Sequence, residues 1–238
     1  MDRPLLITSI EVPVDSMKRL PIGVPDMDQM MLGGLPVASL CLLLGPPGAG
    51  KSILSKRFLY TGVEDKKSGF LVATSEGEDR VLETMQTFDW NRGVEKHLHV
   101  LDCYSWKSGK PKSKYSASLT SLTDVSVGIT SIIDDFGVQP EDGSRIVIDS
   151  FTDVINYGGA ERALRLLDTV HTKLQTRGVT GLVLLEEGVH DEKTVKSVEY
   201  TTDGTIRMKF SEQGRFMMVS RLSATPLSPK WIPFTIGR

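Results

Sequence analysis

Long apolar stretches are missing from this chain. No run approaches the roughly 18 residues needed to cross a bilayer, so membrane insertion is not expected. Cysteine is scarce: two in 238 residues cannot build a disulfide framework. Cys41 lies in an apolar run and Cys103 at the end of another, where a reduced thiol packs as a small hydrophobe. Charge of one sign is lacking too. With 28 Lys and Arg against 30 Asp and Glu the net charge is −2, which removes any whole-molecule pull toward nucleic acid or anionic lipid but leaves room for a local patch. The Met-Asp-Arg-Pro start has neither the basic region nor the apolar segment of a secretory signal. These absences together give a reduced, cytoplasmic setting as the expectation. His97, His99, His171 and His190 have no metal-ligand spacing, and no Ser-His-Asp or Cys-His arrangement is legible.

What is present is an ordinary globular balance, 39% hydrophobic and 24% charged, in a length that suits one large α/β domain. Short continuous apolar runs at 39–44, 70–74, 98–101, 146–148 and 182–185 read as strands buried on both faces. Helical spacing appears between them. It is carried by Ile53, Leu54, Phe58 and Leu59, then by Val81, Met85 and Phe88. It returns at Val125, Ile129, Ile132, Ile133 and Phe136, and at Leu164, Leu167, Val170 and Leu174, stopping at Gly178. Such alternation predicts a mostly parallel central sheet flanked by helices. From about Glu199 the pattern changes to short alternating strands. Asp203-Gly204 reads as a hairpin turn there and Gly214 as a second one, adding antiparallel strands at the C-terminus. Residues 1–20, with Leu5, Leu6, Ile7, Ile10 and Val12, read as a strand or arm, and residues 21–238 as a single domain. A Gly/Pro-punctuated loop is expected over 21–36, and a flexible Ser/Lys-rich loop over 105–121.

The strongest chemical signal is Gly45-Pro46-Pro47-Gly48-Ala49-Gly50-Lys51-Ser52, which fits G-x-x-x-x-G-K-[ST] with a strand before it and a helix after it. Glycines let the chain wrap closely enough to aim several backbone N–H groups at a polyphosphate, and the helix N-terminus adds partial positive charge. In this pattern Lys51 reaches the β- and γ-phosphates and the Ser52 hydroxyl holds Mg²⁺. ATP and Mg²⁺ are therefore the expected ligands. A second element is Arg145-Ile146-Val147-Ile148-Asp149, an apolar strand ending in a carboxylate. It reads as a Walker B strand whose Asp149 faces the metal beside Ser52.

Hydrolysis also needs a group to orient water. Glu76 and Glu78 follow the 70–74 strand at its C-terminal end, where α/β sites form. Glu76 is the candidate, although Glu76, Glu78 and Asp79 equally suit the first turn of the next helix. Glu186 and Glu187 end another buried strand and read either as γ-phosphate sensors or as solvated acids.

The stretch Ile22-Gly23-Val24-Pro25-Asp26-Met27-Asp28, then Leu32-Gly33-Gly34-Leu35-Pro36 and the P-loop, resembles the opening of KaiC-like and RadA-like ATPases of the RecA superfamily. The likeness continues through Phe70–Glu76, Phe88-Asp89-Trp90, Asp149-Ser150, and more loosely Arg215–Thr225 with Pro233-Phe234. It implies a RecA-like P-loop NTPase fold, ATP bound at subunit interfaces, ADP as product, and a homo-oligomer, often a hexameric ring. Carried over by residue, it gives Lys51 and Ser52 the phosphate and Mg²⁺, Asp149 the Walker B position, and Arg221 a charge directed at a neighbour's γ-phosphate. Two positions depart from the family pattern. Ser75 stands where a first glutamate is usual, and Arg221-Leu222-Ser223 replaces K-x-R. Both favour ATP binding with slow turnover, since a missing arginine-finger charge costs orders of magnitude in rate.

Two other readings stay open. One is an ATP-sensing scaffold with little hydrolysis, resembling the archaellum-motor subunit FlaH and implying a protein partner. The other is a recombinase-like binder of single-stranded nucleic acid, suggested by Lys107, Lys110, Lys112 and Lys114 interleaved with Trp106 and Tyr115. A solvated loop is the favoured reading of those lysines.

Overall fold

The computed structural model describes residues 17–109, 113–140 and 142–237. It opens with strand β1 (Arg19–Leu20), at the end of the stretch read as a strand or arm, then helix α1 (Pro25–Met30) and strand β2 (Leu35–Pro36) inside the expected loop, with β1 and β2 forming an antiparallel clasp. Next come β3 (Leu40–Gly45), α2 (Lys51–Glu64), β4 (Gly69–Ala73), α3 (Glu78–Thr87), α4 (Val94–His97) and β5 (Leu98–Asp102). The chain continues through α5 (Leu122–Asp135), β6 (Arg145–Asp149), α6 (Phe151–Gly158), α7 (Ala160–Arg177) and β7 (Thr180–Glu186). It ends with α8 (Glu192–Thr201), β8 (Gly204–Ser211), β9 (Gly214–Leu222) and β10 (Ile232–Phe234). The apolar residues expected before residue 17 lie outside the described part.

Eight strands form one sheet in the order β10-β9-β8-β3-β7-β6-β4-β5. The six from β8 to β5 run parallel, β9 runs against them, and β10 pairs antiparallel to β9. Every residue of β3, β4 and β6 is buried, which is why their sequences are apolar without alternation. The side chains nevertheless alternate in space. Cys41 and Leu43 pack with α1, α2 and α3, whereas Leu40, Leu42 and Leu44 pack with α5, α6 and α7. Two cores thus sandwich the sheet. Crossovers returning along both faces bring the C-terminal ends of β3, β4, β6 and β7 to one edge, the place where open α/β sheets bind ligands.

Three expectations need correction. Asp203-Gly204 is no hairpin: Asp203 leads from α8 into β8, held because its N–H donates to the Leu40 carbonyl and its carboxylate accepts from the Leu40 N–H at 2.8 Å. The hairpin is at 212–213, where Ser211 pairs with Gly214. Residues 199–201 are still helical, and α6 and α8 replace what the sequence left as connections. The Ser/Lys-rich segment is partly built into the fold. Ser105–Ser108 form a 3-10 turn, the Ala117 N–H donates to the Asp102 carbonyl, and Ala117 and Leu119 are buried beside β5. The far edge of the sheet is closed by β10, where Pro233 faces Phe216 of β9.

Candidate functional site

Between β3 and α2 the chain turns through Gly48 and Gly50, with φ of +78° and +102°. A β-carbon is strained in that left-handed region, and at Gly50 it would also come within 2.9 Å of Ile236. The turn delivers Lys51 as the first residue of α2, with its side chain 5% exposed. Its ammonium donates to the carbonyls of Gly45 at 2.8 Å and Pro46 at 2.9 Å, and to Glu186 Oε2 at 2.7 Å. Three acceptors around one buried ammonium leave it fully satisfied inside the loop. Arg215 from β9 braces the loop from outside, donating to the Gly48 carbonyl at 3.3 Å. The P-loop residues read from the sequence, Gly45, Pro46, Pro47, Gly48, Ala49, Gly50, Lys51 and Ser52, therefore form one continuous turn.

Behind the turn lies a second polar cluster. Asp149, at the end of β6, is 6% exposed. Burial pushes its carboxyl up from the ordinary value; Lys56 opposes this most, followed by the Ser52 hydrogen bond. Thr74, fully buried beyond β4, ties the neighbouring strand ends together: its hydroxyl accepts from the Ser150 N–H at 2.6 Å and donates to Asp153 at 2.9 Å. Two residues on, Glu76 Oε1 lies 2.7 Å from the Lys56 ammonium, which is 2% exposed and 4.0 Å from Asp149 Oδ2. An oxygen pair made of a hydroxyl and a carboxylate suits Mg²⁺. No cluster of three metal-binding side chains occurs among the described residues. Ser52 and Asp149 fit an ion that takes its remaining ligands from phosphate and water.

Lys51, Ser52, Asp149 and Glu76 lie together at the carboxyl-terminal ends of the parallel strands, and Arg221 lies elsewhere. It sits opposite Thr205 near the other edge of the sheet and donates to the carbonyls of Glu199 and Thr202. Glu186 reaches the site through Lys51, whereas Glu187 turns to Arg207. Lys56 was missed. The signal for it was its position four residues after Ser52, which places both on one face of α2. A cavity of about 210 Å³ opens beside the loop, lined by Gly50, Leu54, Trp90, Phe234, Thr235 and Ile236. Of the interleaved lysines, Lys107 lies over the rings of Tyr104 and Tyr157, and Lys114 meets Tyr115 and Asp135. Lys110 and Lys112 are outside the described residues.

The match to known proteins follows this geometry. The sequence pattern of the KaiC ATPase family matches residues 20–238. The UPF0273 protein MJ1359 of Methanocaldococcus jannaschii is 32% identical, covering 92% of this chain and 93% of its own. The UPF0273 protein MK0039 of Methanopyrus kandleri is 28% identical over 93% and 90%. In three dimensions the chain resembles the crystal structure of the KaiC-like protein PH0186 from Pyrococcus horikoshii, with a TM-score of 0.75, 21% identity and coverage of 93% and 96%. That likeness supports the RecA-like fold. With a family match across nearly its whole described length, this chain belongs to the KaiC family of nucleotide-binding ATPases within the RecA superfamily.

Proposed function

We propose that the protein binds ATP with Mg²⁺ and hydrolyses it slowly within a homo-oligomer. The observation that carries this is Lys51, 5% exposed, coiled against Gly45 and Pro46 at the head of a 14-residue helix. In this reading the loop amides and the α2 N-terminus receive the phosphates, and Lys51 exchanges its carbonyl and Glu186 partners for phosphate oxygens. The purine occupies the adjacent cavity, against Trp90 and Phe234. Ser52 and Asp149 would hold Mg²⁺, which would supply neutralisation of phosphate charge. Glu76 keeps Oε1 on Lys56 and offers Oε2 to water. Arg221, at the far edge of its own sheet, serves a neighbouring protomer, so the ring supplies what one copy lacks.

The test is calorimetric titration of ATP with and without Mg²⁺, phosphate release, and mass in solution, each beside Lys51→Ala. Tight binding and slow release, both lost in the variant, support the reading; equal affinity in the variant overturns it. One observation favours a second reading, an ATP-sensing module with a protein partner. Both Lys51 and Glu76 are tied up by glutamate and lysine partners within the chain. Tight binding without turnover selects it.

A further inference from the structure

Lys56 is a buried charge that the phosphate-binding scheme does not require. An ammonium 2% exposed is tolerated only against fixed negative charge. Here one nitrogen serves two carboxylates from the ends of neighbouring strands, Glu76 at 2.7 Å and Asp149 at 4.0 Å. Those carboxylates repel one another. Lys51 adds a weaker field at Asp149, but its own three hydrogen-bond acceptors are Gly45, Pro46 and Glu186. Ser52, which acts on the same Asp149, stands one helical turn before Lys56. The ammonium and the Ser52 hydroxyl therefore approach Asp149 from one face of the same helix.

We propose that Lys56 is a resident counter-cation for Asp149 and Glu76. It competes with the divalent ion for their field, and so sets how far nucleotide binding depends on metal. This rests on the reading of Ser52 and Asp149 as the metal-side pair. A unit charge within 4–6 Å of a carboxylate changes proton binding by roughly one to three orders of magnitude, and a divalent cation feels the same field more strongly. With Lys56 in place the acidic pair stays compensated without metal, so the free protein holds divalent ions weakly. Without it, two uncompensated carboxylates face the loop.

The experiment uses Mn²⁺ as the probe and the nucleotide-free full chain, reading free Mn²⁺ by its paramagnetic resonance signal. Lys56→Gln is expected to bind Mn²⁺ about tenfold or more tightly than the wild type. Adding Asp149→Asn to it removes the gain. Lys56→Arg, which keeps the charge, stays weak. A Lys56→Gln protein that binds Mn²⁺ no better than the wild type overturns the proposal, as does a gain that survives Asp149→Asn. A merely structural ion pair would lower the melting temperature of Lys56→Gln and leave Mn²⁺ affinity alone. Should that variant fold only in part, Mn²⁺ must restore its folding, and failure to do so counts against the inference. In parallel, the ratio of ATP affinities with and without Mg²⁺ is expected to widen in Lys56→Gln. If the wild type bound no ATP, the functional reading would fall while the Mn²⁺ comparison still decided the role of Lys56.

Discussion

At the carboxyl-terminal edge of the parallel strands, Lys51 and Lys56 each reach a glutamate that is about a quarter exposed, Glu186 at 27% and Glu76 at 24%. At the amino-terminal edge, Asp203 and Arg221 are engaged largely by main chain. Asp203 accepts from the Leu40 amide and the His171 ring, and Arg221 donates to two carbonyls at the end of α8. Both edges hold paired charge, buried at Lys51 and Lys56 and more open at Asp203 and Arg221, but they can give it up on different terms. A glutamate side chain can swing away when a phosphate offers better acceptors. The Leu40 amide cannot leave Asp203 without unravelling the junction of β3 and β8. The first edge is arranged for exchange, the second for closure.

Substitutions that keep the two edges apart sharpen this contrast, and the largest effect belongs to Lys51. Lys51→Ala should weaken ATP binding about 100-fold, or roughly 2.7 kcal/mol, with the melting temperature moving little; calorimetry and thermal denaturation read the two arms. Asp203→Ala should show the reverse. It leaves the Leu40 amide without its partner and costs stability of about 2 kcal/mol, while ATP affinity stays at the wild-type value. An Asp203→Ala protein as stable as the wild type would erase the distinction between the edges.

Asp149→Asn keeps the shape and removes a charge. It should slow Mg²⁺-dependent phosphate release about tenfold or more, with a smaller loss of folding stability. Arg221→Gln is expected to cost about 1 kcal/mol of stability through its two carbonyl contacts. If Arg221 also acts across a protomer boundary, turnover falls further than affinity, and mixing the variant with Lys51→Ala chains restores part of the rate.

The smallest effect is the pH response of His171. Its hydrogen bond to Asp203 raises its pKa above the ordinary 6.5, against the opposing pull of burial. The folded chain thus holds that proton more tightly than the unfolded chain. The contribution is complete below about pH 6.5 and fades as pH climbs through the raised folded value. Melting temperatures recorded across that range should decline with pH, and His171→Gln should flatten the slope.

Legibility in the sequence followed the range of the interactions. The turn from Gly45 to Ser52 could be read because its conformation is set by its own glycines and by the strand and helix beside it. Asp149 was legible for the same reason, as the end of an uninterrupted apolar run. Asp203-Gly204 misled because that dipeptide favours a tight turn locally, while Leu40 and His171, far away in the chain, decide its conformation. Lys56 looked like one more helical lysine, since nothing nearby in sequence announces that Glu76 and Asp149 converge on it. The helix Phe151–Gly158 was hidden by its length: eight residues directly after a strand are fewer than the stretch over which a helical period can be read.

The sheet's two borders also constrain how copies can gather. On one side the outermost strand is three residues long and carries a proline, which offers no amide to a newcomer. On the other, the backbone of Tyr115 and Ala117 already bonds Asp102. Both devices shorten the open ladder that another strand could join. A ring of these chains would be joined through side chains and loops, an arrangement that can loosen and re-form without disturbing a single ladder.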